Sequence, residues 1–311
     1  MFRTGTLLAV LALAAMLAAP AGAQEDAKKP DWKALLKEKS DSVVAIKFVI
    51  QIKVMMGGQV VQDAEQNQEL RGTLINDKGL VMAANSNFFP RVPPNARFQL
   101  EVGQPQNLKI LFGNEEKEYD AQIVAKDTKL DLIFVQIMEL GDRKISHIGL
   151  AGELEPEIGQ ELFTTTRLPR GFDNAPVLGR VLVTGEVEKP RRMWSMSGTI
   201  AGPGMPVFNF AGEAIGVISN QEASAGVGAG GQQSRPFILP LKTIKAQLKM
   251  AEDRAAKAIE KAAEEKELEK EGEGEGESEG DTEGDEKPED KPEDKPEEKP
   301  ADKPADEPKP E

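Results

Sequence analysis

Short β-branched runs, each closed by turn residues, dominate the stretch from Val43 to Ser219, and that rhythm restricts the chain to a strand-built fold. Val43 to Val54 (VVAIKFVIQIKV) is β-branched and partly alternating, and Met55-Met56-Gly57-Gly58 breaks it. Gly72 to Ile75 and Leu80 to Met82 flank Asn76-Asp77-Lys78-Gly79, whose Asn, Asp and Gly suit a hairpin turn. Lys109 to Phe112 and Glu118 to Val124 flank Gly113-Asn114 in the same way. Further strand patterns follow at Leu132 to Ile137, Glu161 to Thr166, Val177 to Val183, Pro206 to Phe208 and Ala214 to Ser219. Many short strands with few long helical patterns predict an all-β barrel or sandwich. The segment 41–250 is long enough to bury the cores of one or two small barrels. With no cysteine, the fold must be held by its core rather than by disulfides. A single histidine, His147, and no thiolate leave no zinc site, and no metal or cofactor is expected.

The two ends have a different character. Arg3, the apolar run Leu7 to Ala19 and the small residues Ala21-Gly22-Ala23 make residues 1–23 a signal peptide by pattern. The apolar run is too short to span a bilayer, which takes roughly 20 residues. No transmembrane helix is therefore expected after cleavage, and the expected location is periplasmic or secreted. Within the N-terminal segment 24–40, Asp31 to Lys39 reads as a short helix capped by Asp31, with Trp32, Leu35 and Leu36 on one side. From Leu241 the period becomes helical. Leu241, Ile244, Leu248, Ala251, Ala255, Ala258 and Ala262 recur at three and four residues, a coiled-coil-like seam that continues into a charged helix over 251–272. Packing of its first half on the strands and self-association into a homo-oligomer are both open.

Residues 273–311 are acidic, Gly-rich and then Lys-Pro-rich, with a proline at every fourth position from Pro288 to Pro304. That spacing excludes helix and leaves almost nothing apolar to bury, so a disordered tail is expected. Residues 271–311 hold 19 acidic and 6 basic residues, which accounts for most of the net charge of −14; the rest of the chain has 34 acidic and 33 basic residues. Without a basic stripe to follow a phosphate backbone, nucleic acid is not an expected partner. The glycine cluster Gly226 to Gly231 precedes polar residues and a proline instead of a helix, so it reads as a surface loop and not as a dinucleotide fingerprint.

Residues 201–219 read AGPGMPVFNFAGEAIGVIS. This stretch resembles the nucleophile loop and following hairpin of trypsin-like serine proteases, most closely the HtrA/Deg branch with its pattern G-x-S-G-G-P-L-x-N-x-x-G-x-x-x-G. Gly204, Pro206, Asn209, Gly212 and Gly216 fall on matching positions. Ser42 to Ile46 resembles the opening strand of that branch, and GTLINDKGLVMAAN (72–85) the hairpin before its catalytic histidine. DAQIVAKDTKLDLIFVQI (120–137) resembles the segment with the catalytic aspartate, and Phe237-Ile238-Leu239-Pro240 the final strand. The matches span 41–250 in the family's order. They imply a trypsin-like protease domain of two perpendicular six-stranded antiparallel β-barrels, with the active site in the cleft between them. The charged helix and acidic tail stand where that branch usually continues into a PDZ domain, so no PDZ domain is expected.

In the family's register the general base falls on Ser86, the orienting carboxylate on Asp131 and the nucleophile on Pro203, with Ala201 and Gly202 in the oxyanion loop. A triad needs a hydroxyl, a base, a carboxylate and oxyanion donors. Serine does not take up a proton at neutral pH. Proline has neither a hydroxyl nor a backbone N–H, and losing one oxyanion donor alone costs on the order of 10²–10³ in rate. Asp131, with no imidazole to orient, is expected to cap buried backbone donors at the cleft. Ser197-Gly198 lies too early for the nucleophile register, and His147 falls in the connection between the barrels.

The resemblance therefore implies an exported, non-catalytic homologue that binds polypeptide or a protein partner through the inter-barrel cleft, gripping it as an added strand. Two alternatives belong to other classes: an active serine endopeptidase with an unorthodox site, and a structural envelope protein acting through its acidic tail. Limited proteolysis of the purified chain should remove residues 273–311 while the remainder keeps its cooperative thermal transition. Strong hydrogen-exchange protection across the Lys-Pro repeats would contradict the tail assignment.

Overall fold

The computed structural model of the protein describes residues 30–90, 96–198, 202–222 and 234–273. The expected signal peptide, the tail beyond Glu273, the glycine cluster and Ala201 lie outside them. The chain enters through α1 (Trp32–Ser40), whose N-cap Asp31 accepts from the amides of Lys33 and Ala34 at 3.1 Å. Its aromatic Trp32 meets Phe163 and Phe210 edge-on, which docks the helix on the second half of the domain.

Barrel 1 is built from β1 (Val43–Met56), β2 (Gln59–Leu74), β3 (Leu80–Ala84), β4 (Gln99–Val102), β5 (Gln106–Phe112), β6 (Glu118–Asp127) and β7 (Leu132–Ile137). The order β2-β3-β7-β6-β5-β1 closes where β1 pairs back onto β2, giving a six-stranded antiparallel ring. The short β4 adds to β1 outside the ring. A one-turn helix, α2 (Asn85–Phe88), follows β3. Barrel 2 closes in the order β10-β13-β12-β11-β8-β9, from β8 (Glu161–Arg167), β9 (Pro176–Val187), β10 (Met193–Ser197), β11 (Pro206–Phe208), β12 (Ala214–Glu222) and β13 (Ser234–Pro240). The helix α3 (Leu241–Glu273) follows without a break.

Strand alternation explains three apolar clusters. Val81, Ala83, Ile133, Val135 and Ile137 fill barrel 1 together with Val44, Ile46 and Ile110. Leu162, Val181, Trp194, Val207 and Ile238 fill barrel 2. The opposite faces of the same strands form a layer between the barrels: Leu80, Met82, Leu132 and Phe134 from the first, Phe163, Phe208, Val217 and Leu239 from the second. This is why every residue of β7 is buried: the strand has no solvent face. Leu241, Ile244, Ala251 and Ala255 of α3 belong to the same layer, so the helical seam is used within the chain at least as far as Ala255. Truncating any one of the buried phenylalanines costs about 3–5 kcal/mol.

The first thirteen residues of β2, the strand β4 and the strand β10 are not evident in the sequence. Gln59 to Leu70 (QVVQDAEQNQEL) is polar, and it forms a strand because it zips onto β1 from Met56↔Gln59 to Val43↔Thr73 around Gly57-Gly58. Both glycines take positive φ, 58° and 81°, as a two-residue hairpin turn requires. The paired ribbon extends past the ring, so its outward residues have no core to face and show no apolar alternation.

A polar junction also ties the barrels. Arg71 of β2 donates to the carbonyls of Arg167 and Leu168 and to Asn174 Oδ1. Arg167 donates to the carbonyls of Ser40 and Asn174 and to Asp41. Asn174 Nδ2 donates to Gly113 O at 3.2 Å and Asn114 Oδ1 at 2.9 Å across the interface. The residue is buried, with φ 45°, a left-handed conformation that Asn tolerates better than most side chains. Asn174→Ala should therefore lower stability by about 2–3 kcal/mol, read from the urea midpoint at unchanged slope.

Candidate functional site

β3 leaves barrel 1 at Ala84 and turns at once into α2, so Ser86 sits at the start of that single turn. Asp131 lies just before β7, and Asn85 N donates to its carbonyl at 3.1 Å, which holds the two turns together. The carboxylate is buried, 4% exposed. Its Oδ1 accepts from Ser86 N at 2.7 Å, and its Oδ2 accepts from Ser86 Oγ at 2.9 Å. Oδ2 also accepts from Asn220 N, at 3.2 Å, across the interface on β12. One residue away, Ser219 Oγ donates to Leu130 O at 2.7 Å, a second tie between β12 and the turn before β7. Asp131 adopts φ 55°, the left-handed region, which turns its carboxylate toward these donors while β7 continues.

Pro203 lies in the tight turn between Gly202 (φ 120°) and Gly204 (φ 84°) that leads into β11. Gly204 N donates to Ile218 O at 2.7 Å, and Ile218 N donates to Met205 O at 2.9 Å, so β12 fixes the turn. The turn presses on barrel 1. A Cβ on Gly204 would lie 2.3 Å from Ala84 N and 2.6 Å from Ala83 C, closer than any side chain permits. Met205, 2% exposed, reaches Thr73 of β2, whose hydroxyl donates to the thioether sulfur at 3.7 Å.

The structure thus brings Ser86 and Asp131 into direct contact, and it seats the turn carrying Pro203 against Ala83-Ala84, two residues before Ser86. Ala201 lies outside the described residues. His147 takes no part. It is exposed on the connection after β7 and lines a surface depression with Lys39, Gly212 and Glu213. Gly198 packs against the carbonyl of Arg180, which fixes the end of β10 on barrel 2. Asn220 and Ser219 escaped the sequence reading. Ser219 was visible as a polar residue in an apolar strand, but Asn220 acts through its backbone N–H, which side-chain identity does not reveal.

Chemically, the pair is a hydroxyl donating straight to a buried carboxylate. What the arrangement supplies is cohesion: a desolvated carboxylate that accepts from donors on both barrels.

The fold is trypsin-like. Two closed six-stranded antiparallel barrels pack face to face, and the two turns and the β12 backbone meet at their junction. No protein-family model matches the sequence. No curated protein matches it either. Among solved structures the chain is similar to the MamO protease domain from Magnetospirillum magneticum in its apo form, at 16% identity and a TM-score of 0.41. That match covers 68% of this chain and 97% of the other. It is also similar to Deg5, at 17% identity and a TM-score of 0.43, over 69% of this chain and 90% of the other.

Asp131→Asn tests the carboxylate separately from its backbone, because Asn also accepts the left-handed conformation. One of the two amides, Ser86 N or Asn220 N, would then face an NH₂ group. The expected loss is about 1–3 kcal/mol in urea unfolding, with faster exchange of the Asn220 amide.

Proposed function

We propose that this chain is an exported, non-catalytic homologue of trypsin-like proteases that binds extended polypeptide in its inter-barrel cleft. The observation carrying this reading is the commitment of both Asp131 oxygens to Ser86 and Asn220. In this reading Ser86, Asp131 and Pro203 occupy the triad positions, and Ala201 and Gly202 belong to the oxyanion loop. Ser86 stands where the base would be and donates to the acid. Pro203 brings no hydroxyl to the nucleophile position and no N–H to the oxyanion hole. Binding survives such losses, because a peptide added as a strand is held by backbone hydrogen bonds rather than by triad side chains. Export is supported by the residue pattern of 1–23. Among the described residues no helix is long and apolar enough to cross a membrane.

The test is chemical labelling together with turnover. The purified chain should neither react with a fluorophosphonate nor hydrolyse unfolded casein above background, while casein-derived peptides slow amide exchange at Ser219 to Glu222. Labelling or hydrolysis that disappears when one of the chain's own serines is replaced would overturn the reading. The double variant Ser86→His/Pro203→Ser restores a hydroxyl, an imidazole and an N–H, and any fluorophosphonate reactivity gained should depend on both changes.

A further inference from the structure

The ribbon that carries β1 and β2 beyond barrel 1 leaves one side of β2 open. β2 pairs with β1 along its length, but with β3 only at Thr73 and Leu74. Among the described residues no strand covers the other edge from Gln59 to Leu70. Unpaired edges this long are normally blunted by lysine, proline or a covering element. This one has neither lysine nor proline between Gln59 and Leu70. The register slips at Val54/Met55, near the tip, so the regular edge runs from Gln62 to Leu70, about 30 Å of strand.

Two further features mark what the edge would take. Val60 and Val61 at its outer end are 56% and 55% exposed, and Met56 across the turn is 50% exposed, a small apolar tip with no core behind it. Along the outward face, Asp63 is engaged by Lys53 and Gln51, and Glu69 by Arg71. Glu65, between them, has no ionic partner among the described residues and is exposed.

We infer that the β2 edge is a second polypeptide-binding site, separate from the cleft, which takes an extended segment of another protein by strand addition. The segment carries a cationic side chain opposite Glu65 and apolar side chains over Val60 and Val61. Backbone N–H and C=O groups of Gln62 to Leu70 supply the pairing, and the side chains set the register. A second copy of this chain fits less well. The antiparallel register that uses the whole edge sets Asp63 opposite Glu69, and like charges directly opposite each other oppose pairing.

The probe is a ten-residue peptide of alternating threonine and lysine that ends in two valines, titrated into the full chain by fluorescence anisotropy and followed by hydrogen exchange. Alternate amides within Gln62 to Leu70 should exchange at least about tenfold more slowly when the peptide is bound, while those of Ser219 to Glu222 stay unchanged. N-methylating one alternate set of peptide nitrogens should weaken binding about tenfold or more, and methylating the other set should change it less than about threefold. Glu65→Lys, at an exposed position, should weaken this peptide about fivefold and favour a glutamate-for-lysine version. Equal losses from both methylated sets would reduce the effect to charge attraction and overturn the proposal. Absence of binding would overturn it too, as would protection confined to β12. So would protection of β2 that rises with protein concentration before any peptide is added, since a second copy would then be the occupant.

Discussion

The apolar layer between the barrels is the constraint on which the remaining structure depends. β3 and β7 contribute both of their faces to cores: Val81, Ala83, Ile133 and Val135 point into barrel 1, and Leu80, Met82, Leu132 and Phe134 point toward barrel 2. Each of these side chains larger than alanine is worth about 1.5–3 kcal/mol of burial, and together they outweigh any single polar tie across the interface. The hydrogen bonds of Arg71, Arg167 and Asn174 are better understood as setting the relative orientation of two barrels that already adhere. Without the layer, Asp131 and Asn220 would not lie within hydrogen-bonding distance.

At the junction, the same residues serve packing and geometry. Gly204 must lack a side chain because Ala83 and Ala84 fill the space where one would stand. Met205 fills the gap behind it and meets Thr73. Asp131 sits within an otherwise apolar run, and it tolerates burial because Ser86 and Asn220 donate to both of its oxygens. The site is therefore tied on several sides, by hydrogen bonds to α2 and β12 and by the close approach of Gly204 to Ala83 and Ala84.

Much of this was legible in the residues. The strand at Leu132 to Ile137 was readable, and Asp131 accepts from backbone N–H groups, as expected of an acid with no imidazole to orient. The hairpin at Asn76 to Gly79 and the turn at Gly113-Asn114 follow from turn chemistry. Gln59 to Leu70 was opaque, because periodicity registers a strand only where one face meets a core, and here a polar strand is held by its neighbour's backbone. β10 was hidden for a related reason: Met193 and Trp194 carry it in a short segment whose outward residues are polar. Contacts through backbone amides, such as Asn220 to Asp131, leave no mark in side-chain identity.

The β1–β2 ribbon also bears on how the chain reaches its native state. Its paired residues are nearest in sequence at Met56 and Gln59 and farthest apart at Val43 and Thr73. Closing the small loop around Gly57-Gly58 costs little chain entropy, and each further pair extends a ladder already formed. Zipping from the tip inward would bring Val43, Val44 and Ile46 to the base of β2 without the help of any distant strand. The β1–β5 and β3–β7 seams join residues with far more chain between them and form more slowly, as contact-order arguments require. A hairpin whose tip lies outside the native core, while its base supplies Val44, Ile46 and Leu74 to it, is in this sense the cheapest place for the first barrel to start.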